Sequence, residues 1–270
     1  KTEVKTKMQL KLIEKNDKAR QYHFLVKGVD VPFLNAIRRS VVSLTPTMAV
    51  EDIEFRQNSS VLYDEFLAHR IGLVPLTTDL KSYDMIESEE DKESLKCINK
   101  LTLDVKGPKT VYSGDIKSAD KGIKPVFDTI PLVKLKKGQE VRLEATSILG
   151  IGKQHMKFSP GLVFYKNKPV ITVGKTVDVE TLKRRIPADS AVTIDGSKVK
   201  VDDNKLYTTN YFDAFVNESV VEGLDISMIE DEFILYIESF GQLDAKDMMI
   251  ASVDALKTRL SDLASQISKA

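Results

Sequence analysis

The stretch that most constrains the fold is Asp244–Ala270. Ala245, Met249, Val253, Leu256, Leu260, Leu263 and Ile267 recur every three or four residues, the spacing of a single helix face. Asp244, just ahead of them, is a residue type that caps a helix start. About 25 residues at 1.5 Å each make a seam roughly 38 Å long. One small domain does not cover a seam of that length, so the spacing predicts that a helical partner takes part of it.

A second helix is predicted over Val31–Leu44, with Asp30 as N-cap, Pro32 in the first turn and Pro46 beyond the end. Phe33, Leu34, Ile37, Val41 and Leu44 recur at three and four. Val31 and Val42 widen that stripe beyond an ordinary core face, so part of it is expected to meet another chain. Arg38 and Arg39 stand side by side on this helix, and at least one must leave the buried face. Such a pair is either solvated or aimed, as guanidinium forks, at a partner's carboxylates and carbonyls.

Between these helices the pattern is mostly β. Residues 4–14 and 20–28 read as a hairpin, and strands are predicted at Val50–Phe55, Ile98–Val105, Thr110–Ile116, Val126–Val133 and Glu140–Ser147. Glu87–Glu93 has too little apolar surface to pack and reads as a solvated loop. A loop at Gly150–Gly161 leads to two short strands, Val163–Phe164 and Val170–Val173. Residues 176–222 form a compact inserted unit: a helical piece, a break at Pro187, a hairpin over Val192–Val201 and a second helical piece near 208–221. A strand at Glu232–Glu238 then precedes the terminal helix.

One short helix interrupts the β region, with Ser59 or Ser60 as its cap, Asp64 and Glu65 suiting its positive start, and Gly72 and Pro75 stopping it. It displays Glu65 and His69 on one face and Arg70 about a hundred degrees further round. Polar groups held that rigidly point to recognition.

Composition excludes several functions. Forty basic and forty acidic residues cancel, so no global field draws the chain to nucleic acid or a membrane surface, and no direct nucleic-acid contact is expected. The single cysteine, Cys97, forms no internal disulfide or thiolate metal cluster and fits a reducing interior. No apolar run reaches the roughly twenty residues of a membrane span, and the charged start Lys1–Lys5 lacks a signal-peptide core, so a soluble, cytoplasmic protein is expected. His23, His69 and His155 lack the close spacing of a zinc site. His69 with Glu65 or Asp64 could form an acid/base pair, but no activated-nucleophile motif accompanies it. Gly150 and Gly152 lack the third glycine of a phosphate cradle and read as a tight loop. No catalytic residue, cofactor site or metal site is expected.

Four motifs together resemble the archaeal branch of the alpha-like RNA polymerase subunits, relatives of the third-largest eukaryotic polymerase subunits and of bacterial alpha. They are Phe33-Leu-Asn-Ala-Ile-Arg-Arg, Pro46-Thr-Met-Ala-Val-Glu-Asp-Ile, the run Asn58–Leu76 containing Glu65-Phe-Leu-Ala-His-Arg, and Gly150-x-Gly-Lys-Gln-His-Met-Lys-Phe-Ser-Pro160. The likeness spans nearly the whole chain. It implies an α+β fold in which a discontinuous dimerisation domain (1–49 and 226–270) is interrupted by a mostly β inserted domain (50–175) carrying a ferredoxin-like unit (176–225). It implies a non-catalytic assembly subunit that pairs with subunit L, completing a four-helix interface. That pair is a platform for the large catalytic subunits and small subunits N and P. The subunit L interface would comprise Phe33, Leu34, Ile37 and Val41 with Met249, Val253, Leu256, Leu260, Leu263 and Ile267. Arg38, Arg39, Glu65, His69 and Arg70 match the family's motif positions and would dock the large subunits.

The chain departs from the family in the ferredoxin-like unit. A cluster set needs thiolates at Cys-x2-Cys-x2-Cys-x3-Cys. The matching positions hold Tyr207, Asn210, Asp213 and Asn217, and in the first half Thr176, Val179, Leu182 and Ile186. The unit is therefore expected to persist as a cluster-free scaffold packed by Val179, Leu182, Ile186, Tyr207, Phe212 and Phe215. Two competing classes, a free-standing enzyme built on the His69 helix and a ferredoxin-type electron carrier, lack a nucleophile constellation and cluster cysteines respectively.

Overall fold

A computed structural model describes residues 7–174, 177–187, 190–195, 198–212 and 223–269. Strands β1 (Gln9–Asn16) and β2 (Gln21–Lys27) lead into helix α1 (Val31–Leu44), the long strand β3 (Pro46–Asn58) and helix α2 (Asp64–Gly72). Strands β4 (Ile98–Lys106), β5 (Lys109–Tyr112), β6 (Lys117–Ser118), β7 (Pro131–Leu135), β8 (Glu140–Ile151) and β9 (Gly161–Val173) follow. Helix α3 (Val179–Arg185), strands β10 (Val192–Asp195) and β11 (Lys198–Val201) and helix α4 (Asp203–Thr208) precede β12 (Leu224–Ser239) and helix α5 (Ala245–Lys269). The fold is mixed, with several antiparallel sheets and, among the described residues, five α-helices.

The chain divides into two compact units, Lys1–Ala36 with Val163–Glu238, and Ile37–Leu162 with Ser239–Ala270. The first is built on a four-stranded sheet in the order β1-β2-β12-β9, in which β2 pairs antiparallel with both β1 and β12. Its second core gathers Leu182, Ile186, Val192, Leu206, Phe212 and Leu224, with Tyr207 packed against it. Short helices here start on aspartate caps: Asp178 accepts the amides of Glu180 and Thr181, and Asp202 those of Asn204 and Lys205.

The second unit is built on the sheet β3-β8-β4-β6, with β8 antiparallel to both β3 and β4, and it also holds a small antiparallel β5-β7 pair. Period-two burial along β4 and β8 sends Leu101, Leu103, Val141, Leu143 and Ala145 into one core, which Leu67 and Ile71 of α2 also enter. In the same unit α1 and α5 meet through small residues: the Ser40 hydroxyl donates to the Ser252 carbonyl at 2.5 Å, and both serines are buried.

The terminal helix, the 31–44 helix with its Asp30 cap (Phe33 N–H to Asp30 Oδ1, 3.0 Å) and the two hairpins stand where the periodicity predicts them. Other expectations need correction. The two short strands at 163–173 are one strand, β9, because the polar run Tyr165–Lys168 faces tertiary partners: Asn167 donates to the Ile229 carbonyl and Lys168 to Glu232. The strand expected at Val126–Val133 begins only at Pro131. The Val126 and Phe127 backbone groups are engaged elsewhere, the Val126 amide on the Pro75 carbonyl and the Phe127 carbonyl by the Ser113 hydroxyl. The strand expected at Thr110–Ile116 stops at Tyr112, where Asp115 accepts the Tyr112 amide and turns the chain. Neither Ser59 nor Ser60 caps α2. Asn58 and Ser60 instead close a turn of their own, and the helix starts at Asp64 behind Tyr63. The second helical piece of the inserted unit lies earlier, at Asp203–Thr208, and residues 213–222 lie outside the described residues.

The turn after β8 fits closely under α1. A Cβ on Gly152 would stand 1.9 Å from the Val42 carbonyl oxygen, and the Lys153 amide donates to the Ser43 carbonyl at 3.0 Å. Gly152→Ala is expected to destabilise the protein by roughly 1–3 kcal/mol, as overpacking a rigid backbone contact does. A denaturant melt of the variant against the parent checks this.

Candidate functional site

Helix α2 has nine residues and buries Leu67 and Ile71. A helix this short has room for one buried stripe, so its other side is left to solvent. That side is apolar. Phe66 is 63% exposed, and the residues flanking the helix continue the ridge, with Val61 at 77%, Tyr63 at 75% and Leu73 at 50%. Contiguous exposed apolar groups of this size mark contact surfaces. Glu65 and His69 are exposed or half-exposed beside them.

Arg70 has a different role from its neighbours. Its Nε donates to the Leu132 carbonyl at 2.9 Å and its Nη2 to the Pro131 carbonyl at 2.5 Å, so the fork fastens α2 to β7 and fixes the angle of the ridge. Below the ridge a cleft of about 240 Å³ is lined by Ala68, His69, Gly72 and Leu73 of the helix and by Glu51, His155 and Lys157 opposite. Lys157 spans Glu51 and the Val50 carbonyl, and its amide donates to His155 Nδ1 at 3.1 Å. No nucleophile accompanies these histidines in the cleft lining. Among the described residues, no three His, Cys, Asp or Glu converge to hold a metal ion.

The residues of the two long helices separate by environment. Leu34, Ile37 and Val41 are buried within the chain, whereas Phe33 is exposed, and the Arg38 and Arg39 pair is split between a half-buried and an exposed position. The predicted stripe on α1 is thus divided: most of it serves the chain's own core and Phe33 remains outside. On α5, the residues up to Leu256 are at least partly covered at Met248, Ser252, Val253 and Leu256, while every residue from Lys257 to Lys269 is exposed. Leu260, Leu263 and Ile267, at 58%, 54% and 67% exposure, therefore form a bare apolar stripe on a helix standing in water.

In the other unit, the positions matched to cluster ligands are held by lysines of β9. Lys166 Nζ donates to Asn210 Oδ1 at 3.1 Å and to the Thr209 carbonyl at 2.7 Å, and Lys168 Nζ lies 5.7 Å from the centre of the Tyr207 ring. Lys168 also pairs with Glu232 at 2.8 Å, and Glu232 pairs with Lys27 as well. A phenol and an amide engaged by ammonium groups do not fit an iron–sulfur cluster, and the one cysteine of the chain, Cys97, is buried in the second unit. Val179 is half-buried and Leu182, Ile186 and Phe212 are buried; Thr176, Asp213, Phe215 and Asn217 lie outside the described residues.

Sequence reasoning missed the ridge of Val61, Tyr63, Phe66 and Leu73 as a surface, because apolar residues beside a short helix look like core until the single buried stripe is known. The one signal was that Phe66 lies off the face shared by Leu67 and Ile71.

Comparison with known proteins bears on this surface directly. Residues 53–161 match the model of the RNA polymerase Rpb3/RpoA insert domain. The whole chain is similar to the DNA-directed RNA polymerase subunit Rpo3 of Thermococcus kodakarensis, 34% identical over 97% of this chain and 98% of that relative. It is similar to the subunit of the same name from Methanothermobacter thermautotrophicus, 36% identical over 93% and 96%, and from Pyrococcus furiosus, 29% identical over 97% and 98%. Among the described residues no helix is long and apolar enough to cross a membrane.

The lysines around Glu232, Lys168 first and then Lys27, hold its carboxyl below its ordinary value of 4.5. A depressed folded-state value means that this carboxylate adds stability above 4.5, lost as pH falls below it through the folded-state value. Glu232→Gln is expected to cost about 1–2 kcal/mol at neutral pH, the worth of charge-assisted hydrogen bonds, and progressively less in acid. Urea midpoints of both proteins along an acid series check this.

Proposed function

The chain belongs to the Rpo3 family of archaeal DNA-directed RNA polymerase subunits, and we propose that within that complex it is a non-catalytic assembly subunit. It pairs with small subunit L and presents a second surface to the large catalytic subunits and to subunits N and P. Residues 1–49 and 226–270 make the dimerisation domain, 50–175 the inserted domain, and 176–225 a ferredoxin-like scaffold without a cluster.

The observation that carries the reading is the bare half of α5. Isolated helical segments of a dozen residues are marginal in water, and an exposed Leu-Leu-Ile stripe adds an unfavourable surface. The α5 stripe continues without a break from partly covered Val253 and Leu256 to exposed Leu260, Leu263 and Ile267, so a partner helix can extend the same packing. Met249 begins the stripe, and from α1 the same interface takes Phe33, with Leu34, Ile37 and Val41 as its buried support. Arg38, Arg39, Glu65 and His69 serve the large-subunit contact along with the α2 ridge, and Arg70 holds that ridge in place.

Co-expression with subunit L followed by size-exclusion chromatography is expected to give a heterodimer. Leu256→Asp with Leu260→Asp should abolish it, because charge in an apolar seam has no compensating partner. A parent chain that stays a monomer beside L, or a double variant that still pairs, overturns the reading. For the scaffold, anaerobically purified protein is expected to contain no stoichiometric iron or sulfide and to lack cluster absorption in the visible range; the opposite result overturns the cluster-free assignment.

A further inference from the structure

The stripe assigned to subunit L occupies one side of α5. Asp247, Ile250, Ala251 and Asp254 lie on roughly the opposite side, as the 3.6-residue helical repeat requires. With the segment Thr78–Met85, that back side encloses a groove of about 870 Å³. Its walls are apolar, including Leu80, Tyr83, Met85, Leu149 and Ile250. Ile250 is half exposed, and Tyr83 is fixed by its hydroxyl, which donates to Asp120 Oδ2 at 2.8 Å. The groove is thus preformed and uncovered.

Its charge is one-sided. Among the described lining residues, Asp79, Asp84, Asp247 and Asp254 face a single cation, Lys81. Asp79 is kept ionised by the Ser82 hydroxyl and the Lys81 amide, which lower its pKa. Lys257 lies 3.5 Å from Asp254, but an exposed pair of this kind neutralises little. An apolar trough with carboxylates along its edges matches a segment that buries aliphatic or aromatic side chains and carries Lys or Arg at its margins. The trough runs along a helix and is open along its length, a form suited to a peptide segment.

We propose that this groove docks a basic, apolar-anchored segment of another polymerase subunit, so that α5 is held between two protein partners, one on each side. The inference rests on the assembly reading above. Acidic edges select a cationic segment and reject an acidic one, because like charges brought together at an interface are costly. They leave the seam for L untouched, since the two sides of the helix share no residue.

The test uses p-benzoylphenylalanine in place of Ile250, with the chain assembled into the full polymerase, irradiated, and the cross-linked peptide sequenced by mass spectrometry. The expected result is a cross-link to a net-basic segment of a second subunit. Its yield should fall about tenfold when Asp247→Lys and Asp254→Lys turn two attractive pairs repulsive, while pairing with L on size exclusion is unchanged. No cross-link, a cross-link to a neutral or acidic segment, or a yield indifferent to the double reversal overturns the proposal while L pairing persists. Loss of L pairing in the parent chain instead defeats the assembly reading and this inference with it.

Discussion

A long apolar stripe that its own chain covers over only half its length governs this structure. The first turns of α5 are anchored, with Met248 and Ser252 buried and the Ser252 carbonyl accepting the Ser40 hydroxyl of α1. The anchored turns fix the direction of the rest, so Leu260, Leu263 and Ile267 stand on a predetermined line. Burying three such side chains is worth several kcal/mol at roughly 1.5–3 each, enough to offset much of the cost of association. Anchored at one end and apolar at the other, α5 becomes a half-site that a partner completes.

A similar division of labour holds in α2. Its nine residues can bury only one stripe, and Leu67 and Ile71 take it. Phe66 and its flanking neighbours are then left outside by geometry, and Arg70 secures the presentation by holding the β7 backbone. The sheet beneath supplies rigidity: β8 lies between β3 and β4 with both neighbours antiparallel, which leaves the platform under the ridge no free edge at its centre. In the other unit, Lys166 and Lys168 hold the 203–212 segment to β9 through oxygen acceptors and a tyrosine ring, a task that needs no metal-binding residue.

Local periodicity made much of the fold legible. The α5 seam, the α1 stripe with its Asp30 cap and the hairpins at 9–27 and 192–201 follow from side-chain spacing and turn residues alone, because each is decided by contacts within a few residues. Features decided by distant partners were not legible. The polar run Tyr165–Lys168 reads as a break and is the middle of a strand, since Glu232 and the Ile229 carbonyl receive its polar groups. Ser59 and Ser60 look like helix caps, yet Asn58 competes for the same backbone and delays the helix to Asp64. The apolar content of α1 was readable, but not its division between Leu34, Ile37 and Val41 inside and Phe33 outside, which depends on where other elements pack. For the candidate surfaces, polar residues such as Glu65 and His69 were conspicuous in the sequence, whereas the apolar ridge beside them was hidden among residues that resemble core.

The central claim is that the outer half of α5 is completed by subunit L, and amide hydrogen exchange across Lys257–Lys269 tests it most directly. In the isolated chain these amides should exchange at nearly unprotected rates, because a solvent-surrounded helix end frays readily. In the complex with L they should slow by orders of magnitude, in step with Met249–Leu256. Equal exchange in the two states would contradict the account and assign the stripe another purpose.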